Sequence, residues 1–180
     1  MYGIVNKAIE ELITETYGDH HWESIKLRSR IDIDFFVSNE PYPDEVTYNL
    51  VGAISEELQK PVNEILMEIG KWWVLRTGKE KYGSLMEAGG NSLKEFFFNL
   101  PAFHSRIMLI YPGLTPPEFR ITDVQETSVN IHYYSKRSGL QEFVRGLLLG
   151  LGELYCTPVA VHLLSGRESG NDHEIFKVTW

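Results

Sequence analysis

The 180-residue sequence is poor in cysteine, with Cys156 as its single example. One cysteine excludes an intramolecular disulfide, a CxxC redox pair and a zinc site built on paired cysteines. Scarce cysteine is typical of proteins from reducing compartments, because disulfides do not persist there.

Long apolar runs and excess positive charge are also missing. The longest apolar stretch, LLLGLGELY after Gly146, is far shorter than the roughly 20 residues of a membrane-spanning helix. The segment MYGIVNKAIEELI does not resemble a signal peptide, because Glu10 and Glu11 interrupt its apolar run. The net charge of −8 disfavours nucleic acid and anionic lipid surfaces as partners. We therefore expect a cytoplasmic protein that binds neither nucleic acid nor membrane.

Motifs for catalysis and for metal binding are missing as well. The sequence contains no GxxxxGKS/T phosphate loop, no GxGxxG after a predicted strand, and no residue order that indicates a Ser–His–Asp or Cys–His site. A triad assembled only in the folded chain stays open. No two of the six histidines have helical metal-ligand spacing, and no carboxylate cluster accompanies them. These absences argue against an enzyme and against a metal site with several protein ligands.

Helical periodicity dominates the first two-thirds of the chain. Apolar side chains recur there every three or four residues, which predicts amphipathic helices. The segments with this pattern are 5–16, 19–25, 46–58, 62–73 and 93–111.

Residues that disfavour helix interiors predict where these helices begin and end. We expect Asp19 to cap the second helix and Gly78 to end the fourth. Pro101 cannot donate a backbone hydrogen bond, so we expect a kink or restart there. The helix that carries residues 101–111 is expected to stop at Pro112-Gly113.

The last third of the chain predicts strands around one helix. FRITDV, SVNIHYYS, TPVAVHLL and EIFKVTW read as strands, with GRESGNDHE as a hairpin loop between the last two. The helix covers residues 140–155, and its Gly146 and Gly150 would allow close approach to a neighbour. The fold class is therefore α+β, a helical N-terminal portion packed with a four-stranded antiparallel sheet and a covering helix.

The stretch SVNIHYYSKRSG begins as a strand and then changes character. Side chains on a strand alternate between two faces, so the face with Val129 and Ile131 continues as three polar residues, the polar fork. The polar fork consists of Tyr133, Ser135 and Arg137. A phenol, a hydroxyl and a guanidinium on one face predict either a strand end in water or a bound anion.

His104 differs from the other histidines. It keeps the helical spacing of Leu100, Ile107 and Tyr111, so it is expected to face the core. A lone core histidine is more often a hydrogen-bonded structural residue, and the alternative is a single protein ligand to haem iron. Haem needs apolar walls, one histidine and a polar fork for its two propionates. The sequence has no CxxCH motif, so haem would be held without thioether bonds.

From end to end the sequence resembles the haem-nitric oxide/oxygen-binding (H-NOX) family, related to the sensor region of soluble guanylate cyclase. The matching stretches are MYGIVNKAIEELI, YPDEVTYNLVGAISEELQKPVNEILMEIGKWWV, NLPAFHSRI, YPGLTPPEF, YYSKRSGL and GNDHEIF. The resemblance implies one domain over residues 1–180, with a helical subdomain of about 1–62 and a haem-bearing α/β subdomain of about 63–180. It also implies haem b, iron protoporphyrin IX, buried non-covalently between helices and sheet.

The same resemblance implies roles for individual residues. His104 matches the proximal ligand to haem iron, and the polar fork matches the Tyr-x-Ser-x-Arg signature that binds the propionates. Pro117, next to Pro116, matches a proline whose contact keeps the porphyrin from lying flat. The residues that match the lining of the distal pocket are Val5, Trp73, Phe143 and Leu147.

Phe143 sets the expected ligand preference. Oxygen-binding members of the family place a tyrosine at this position, whose hydroxyl donates to bound O₂, whereas phenylalanine has no donor. We therefore expect a sensor that binds NO and CO and binds O₂ weakly or not at all. The indole N–H of Trp73 could donate only if it turned inward, and its expected role is an apolar wall.

The resemblance also implies how a signal leaves the domain. NO weakens the bond between iron and His104, and the helix around residues 101–111 is then released. The sequence has no kinase, cyclase or phosphodiesterase segment, so the expected partner is a histidine kinase or diguanylate cyclase in trans. Two alternatives remain: a haem enzyme acting on NO or peroxide, which would need a distal acid–base group, and a carrier of another apolar carboxylic ligand.

Overall fold

The computed structural model describes residues 1–110 and 115–180. The helices are α1 Gly3–Tyr17, α2 Asp19–Ser29, α3 Asp44–Leu58, α4 Val62–Trp72, α5 Lys79–Glu87, α6 Leu93–Ile110 and α7 Gln141–Leu154. The strands are β1 Glu118–Thr122, β2 Ser128–Tyr134, β3 Ala160–Ser165 and β4 Glu174–Thr179. A π-helical turn, Trp73–Gly78, joins α4 to α5, and a 3₁₀ turn, Arg167–Ser169, lies between β3 and β4.

The four strands form one antiparallel sheet in the order β1-β2-β4-β3. Alternation along β2 and β4 buries one face of the sheet, and Ile131 lies opposite Phe176 at its centre. The predicted α+β class and the hairpin between the last two strands are confirmed. Across the described residues, no helix has the length and apolar character needed to cross a membrane.

The apolar side chains form two adjoining cores. The sheet-side core packs α5, α6 and α7 against the buried face of the sheet, and it is centred on Phe96, Phe97, Ile131, Leu148 and Phe176. The helical core packs α1 to α4 together, and it is centred on Ile9, Ile25, Leu50, Ile54 and Ile65. The division predicted near residue 62 stays a prediction, and α4, which begins there, packs Ile65 and Ile69 into the helical core.

Two predicted helix boundaries are wrong, each for a local physical reason. Gly18, with φ of 96°, is the residue before α2, so Asp19 is the first helical residue and makes no capping hydrogen bond. Gly78 keeps helical backbone angles, so the chain does not turn there. The space left by its missing side chain is taken by the ring and carbonyl of Trp73. Pro101 lies inside α6, which continues without the restart, while the alternative of a kink there stays a prediction. The expected stop at Pro112-Gly113 lies outside the described residues.

Two glycines allow α4 and α7 to cross with their backbones in contact. A side-chain carbon at Gly146 would overlap the carbonyl group of Met67, with its carbon only 2.9 Å away. A side-chain carbon at Gly70 would lie 2.8 Å from the backbone nitrogen of Leu147. The close approach predicted for Gly146 is therefore confirmed, and it fixes where Phe143 and Leu147 stand relative to the π-helical turn.

We expect Gly146→Ala to destabilise the protein by about 1–3 kcal/mol, because the added methyl group forces α4 and α7 apart. Gly52→Ala is the matched control. Gly52 also lies inside a helix, but no atom is within 4 Å of the position its side chain would take. Alanine there should stabilise the protein by about 0.5–1 kcal/mol, since glycine costs helix entropy. Equal urea midpoints for the two variants would refute the close crossing.

Candidate functional site

A mostly apolar cavity opens where the two cores meet. Its wall is formed by α1, the π-helical turn, α5, α6, α7, the residues that lead into β1, and the end of β2. All predicted site residues except Ser135 line it: Val5, Trp73, His104, Pro117, Tyr133, Arg137, Phe143 and Leu147. The structure therefore brings together side chains that are up to 142 positions apart, from Val5 to Leu147. Their individual roles stay predictions.

His104 offers one ring nitrogen to the cavity. Its Nδ1 lies 3.1 Å from the carbonyl oxygen of Leu100, one helical turn back on α6. Because a carbonyl can only accept, Nδ1 donates, and Nε2 keeps its lone pair. Burial lowers the pKa of His104, and the hydrogen bond to Leu100 offsets this only in part. The imidazole is therefore neutral and oriented, which is the state that binds a metal.

A line of aromatic rings joins His104 to the polar fork. The ring of Phe119, on β1, lies 4.8 Å from the His104 ring and 5.4 Å from the Tyr133 ring, measured between centroids. Phe119 and Tyr133 are direct partners in the β1–β2 register. The sheet thus fixes the position of Phe119, against which the His104 ring packs, relative to Tyr133.

The polar fork is built differently from the prediction. Strand β2 ends at Tyr134, so strand alternation does not place Ser135 and Arg137. The chain turns there, and the backbone N–H of Arg137 donates to Ser135 Oγ at 3.1 Å. Tyr133 and Arg137 line the cavity, whereas Ser135 stands behind them and supports the turn.

Tyr133 keeps its proton at neutral pH. Its side chain is 4% exposed, and this burial raises the pKa of the phenol, with a smaller lowering from the Ser135 hydroxyl. A protonated phenol in an apolar wall can donate a hydrogen bond to an anion.

Asp44 and the carbonyl of Thr115 hold the Arg137 guanidinium in place. Arg137 Nε donates to Asp44 Oδ2 at 2.9 Å, and Nη1 donates to the Thr115 oxygen at 3.2 Å. Asp44 also accepts from the amino-terminal ammonium of Met1 at 2.5 Å. Burial would raise the pKa of Asp44, but the hydrogen bonds from Met1 and Arg137 outweigh it and lower the pKa. The Arg137 guanidinium is thus held at the edge of the cavity, where its charge could meet an anion.

The opposite wall carries the residues predicted for the distal pocket. Phe143 and Leu147 project from α7, while Trp73 opens the π-helical turn. The Trp73 ring stacks on the Tyr82 ring, with centroids 6.1 Å apart and planes 26° apart. Pro116 and Pro117 both line the cavity, so the choice between these prolines stays as predicted.

Sequence reasoning missed three residues of this site. Asp44 was identified only as part of a stretch that resembles the family, Phe119 only as a strand residue, and Tyr82 was not identified. Tyr82 adds an aromatic hydroxyl to the wall that carries Trp73, where no hydroxyl was expected. The available signal was a tyrosine in the segment after Gly78 that lies close in sequence to Trp73. The expected helix end at Gly78 concealed this signal.

Comparison with known proteins gives the family. The Haem-NO-binding family profile matches residues 2–163 of the chain. Soluble guanylate cyclase gcy-31 of Caenorhabditis elegans is 27% identical over 180 residues, covering 99% of this chain and 26% of that protein. Soluble guanylate cyclase gcy-35 of the same organism is 26% identical over 99% of this chain and 27% of that protein. The chain therefore spans about a quarter of the length of these relatives.

Solved structures show the same fold. An H-NOX protein from S. oneidensis in the Fe(II)NO state superposes with a TM-score of 0.88 at 16% identity, covering 99% of this chain and 98% of that one. The unliganded Fe(II) H-NOX protein from K. algicida gives a TM-score of 0.85 at 16% identity, with 99% and 96% covered. With the family match over residues 2–163, these findings establish that the chain belongs to the haem-NO-binding (H-NOX) family of haem-binding gas-sensor domains.

Proposed function

We propose that this chain is a nitric oxide sensor that holds haem b non-covalently, with His104 as the protein ligand to ferrous iron. The observation that carries the proposal is the position of the His104 imidazole, which lines a mostly apolar cavity while its Nδ1 lies 3.1 Å from the carbonyl oxygen of Leu100. A macrocycle supplies four ligands to its metal, so one oriented histidine is the whole protein contribution that haem requires.

The residues around the cavity fit haem in shape and charge. Haem is an apolar disc with two carboxylates at one edge, and the cavity is mostly apolar, with Arg137 and Tyr133 among its lining residues. Arg137 still has guanidinium N–H groups beyond those that bind Asp44 and Thr115, and Tyr133 has a protonated phenol. These donors would bind the propionates, while Ser135 supports the turn and Pro117 contacts the face of the disc.

Haem held by His104 would supply an iron that binds NO or CO. The chain itself contributes α6, the helix that carries His104. His104 lies near the middle of α6, and Phe119 connects it to the sheet. Asp44 connects Arg137 to α3 in the helical core. We propose that release of His104 shifts α6 and the sheet relative to the helical core, as a change in the population of two packed states.

The output of this domain is proposed to be a protein contact and not a reaction. Of the residues known to line the cavity, His104 and Arg137 are the basic ones, and both have other proposed roles. A haem enzyme would need a further acid–base group beside the gas ligand. We propose that the domain signals to a histidine kinase or a diguanylate cyclase in trans. The relatives that match this chain are guanylate cyclases.

The first prediction concerns His104. We expect His104→Gly to lose the absorption spectrum of histidine-ligated ferrous haem, because His104 is the one histidine among the described residues that line the cavity. Added imidazole should restore that spectrum by entering the vacated space. His162→Ala, at an exposed position on β3, is the matched control and should behave like the wild type. An unchanged spectrum in His104→Gly would show that another residue binds the iron.

The second prediction concerns Phe143. We expect the ferrous wild type to form no stable oxygenated complex in air, and Phe143→Tyr to form one. A hydroxyl at this position would slow O₂ dissociation by roughly tenfold, the equivalent of one hydrogen bond of about 1.4 kcal/mol. Absorption spectra and stopped-flow dissociation rates measure both effects.

Two control variants test the neighbouring donors on the same wall. Trp73→Phe and Tyr82→Phe remove the indole N–H and the phenol, respectively, and should leave the wild-type response to O₂ unchanged. A stable oxygenated wild type that loses O₂ faster in either variant would contradict the predicted exclusion and assign the donor.

A further inference from the structure

The side chain of Arg167 donates hydrogen bonds to the backbone of the polar fork. This residue begins the 3₁₀ turn between β3 and β4, and it does not belong to the cavity wall. Its Nη1 donates to the carbonyl oxygen of Arg137 at 3.0 Å, and its Nη2 donates to the carbonyl oxygen of Ser135. One guanidinium therefore spans the two fork residues that strand geometry does not fix.

The loop that carries Arg167 is itself held in place. Asn171 Nδ2 donates to Ser165 Oγ at 2.6 Å and closes the base of the loop. Gln141, at the start of α7, donates to Glu168 at 3.3 Å. Gly170 has φ of 85°, which lets the chain turn back into β4. Arg167 therefore reaches the fork from a short, braced loop and not from a free chain segment.

Glu174 provides the second reason for an arginine at this position. Its carboxylate is 5% exposed and lies opposite Tyr133 in the β2–β4 register. Arg167 Nε lies 3.4 Å from Glu174 Oε1, whereas Oε2 has no hydrogen-bond partner among the described residues. A buried negative charge beside Tyr133 would repel an anion bound at the fork, and Arg167 offsets it.

We propose that Arg167 is a positioning residue for the haem carboxylates, an inference that rests on the proposed function. It holds the backbone of Ser135 and Arg137 so that the Arg137 guanidinium points into the cavity, and it neutralises Glu174 behind Tyr133. Arg137 and Tyr133 touch the carboxylates, whereas Arg167 acts only through them.

The test compares two haems in the same holoprotein. Haem loss to excess apomyoglobin is timed for protein loaded with protohaem and for protein loaded with its dimethyl ester, which lacks the carboxylate charges. Arg167→Gln should lose protohaem roughly tenfold faster than the wild type, the effect expected for hydrogen bonds around charged groups. It should lose the dimethyl ester at the wild-type rate, because that haem does not use the fork.

Two further variants make the comparison specific. Arg167→Lys keeps the charge beside Glu174 and should preserve folding, but a compact ammonium cannot span two carbonyls as a guanidinium does. It should therefore also lose protohaem faster and keep the ester rate unchanged, even if Arg167→Gln folds poorly. Lys136→Gln, which removes an exposed positive charge within the fork segment, is the control and should match the wild type for both haems.

The outcomes separate the two proposals. Equal acceleration for both haems would make Arg167 a merely structural residue and overturn its positioning role, as would a wild-type rate in Arg167→Lys. A wild-type protein that binds neither haem would overturn the proposed function itself, and this inference with it.

Discussion

The ion pair between Arg137 and Asp44 lies where all parts of the site meet. Asp44 begins α3 in the helical core, and Arg137 follows β2 in the sheet. The same guanidinium also binds the Thr115 carbonyl, at the start of the segment that carries both cavity prolines. Because both partners are partly exposed, the pair adds little to folding stability on its own. Its importance is geometric, since it fixes a positive charge at the one polar edge of an apolar cavity.

Packing and ligand binding are linked by this cavity. Some side chains that line it, among them Val144 and Leu148, belong to the sheet-side core, whereas Leu140 and Phe143 pack with the helical core, so a bound apolar disc would join the two cores. Any ligand that binds only the folded chain stabilises it by mass action. The α4–α7 crossing at Gly70 and Gly146 brings the backbones of these two helices into contact, and it positions the cavity residues Phe143 and Leu147, whereas His104 belongs to α6.

Local sequence patterns predicted the elements and several contacts of this fold. Helical spacing predicted that His104 faces inward, and strand alternation predicted that Val129 and Ile131 share one face. The paired glycines predicted the close helix crossing. The failures come from packing contacts, either local, as between Trp73 and Gly78, or between residues distant in sequence. Gly78 was read as a turn because the bulk of Trp73 against it cannot be seen from spacing. The links from Asp44 and from Arg167 to the fork depend on how loops return in space, and neither loop has a local signature.

The most direct test of the account is the absorption spectrum of the purified, haem-supplemented ferrous protein before and after addition of NO. The account predicts a Soret band at one haem per chain that shifts when NO is added. A protein that shows no Soret band after supplementation, or whose band does not respond to NO, would contradict the account.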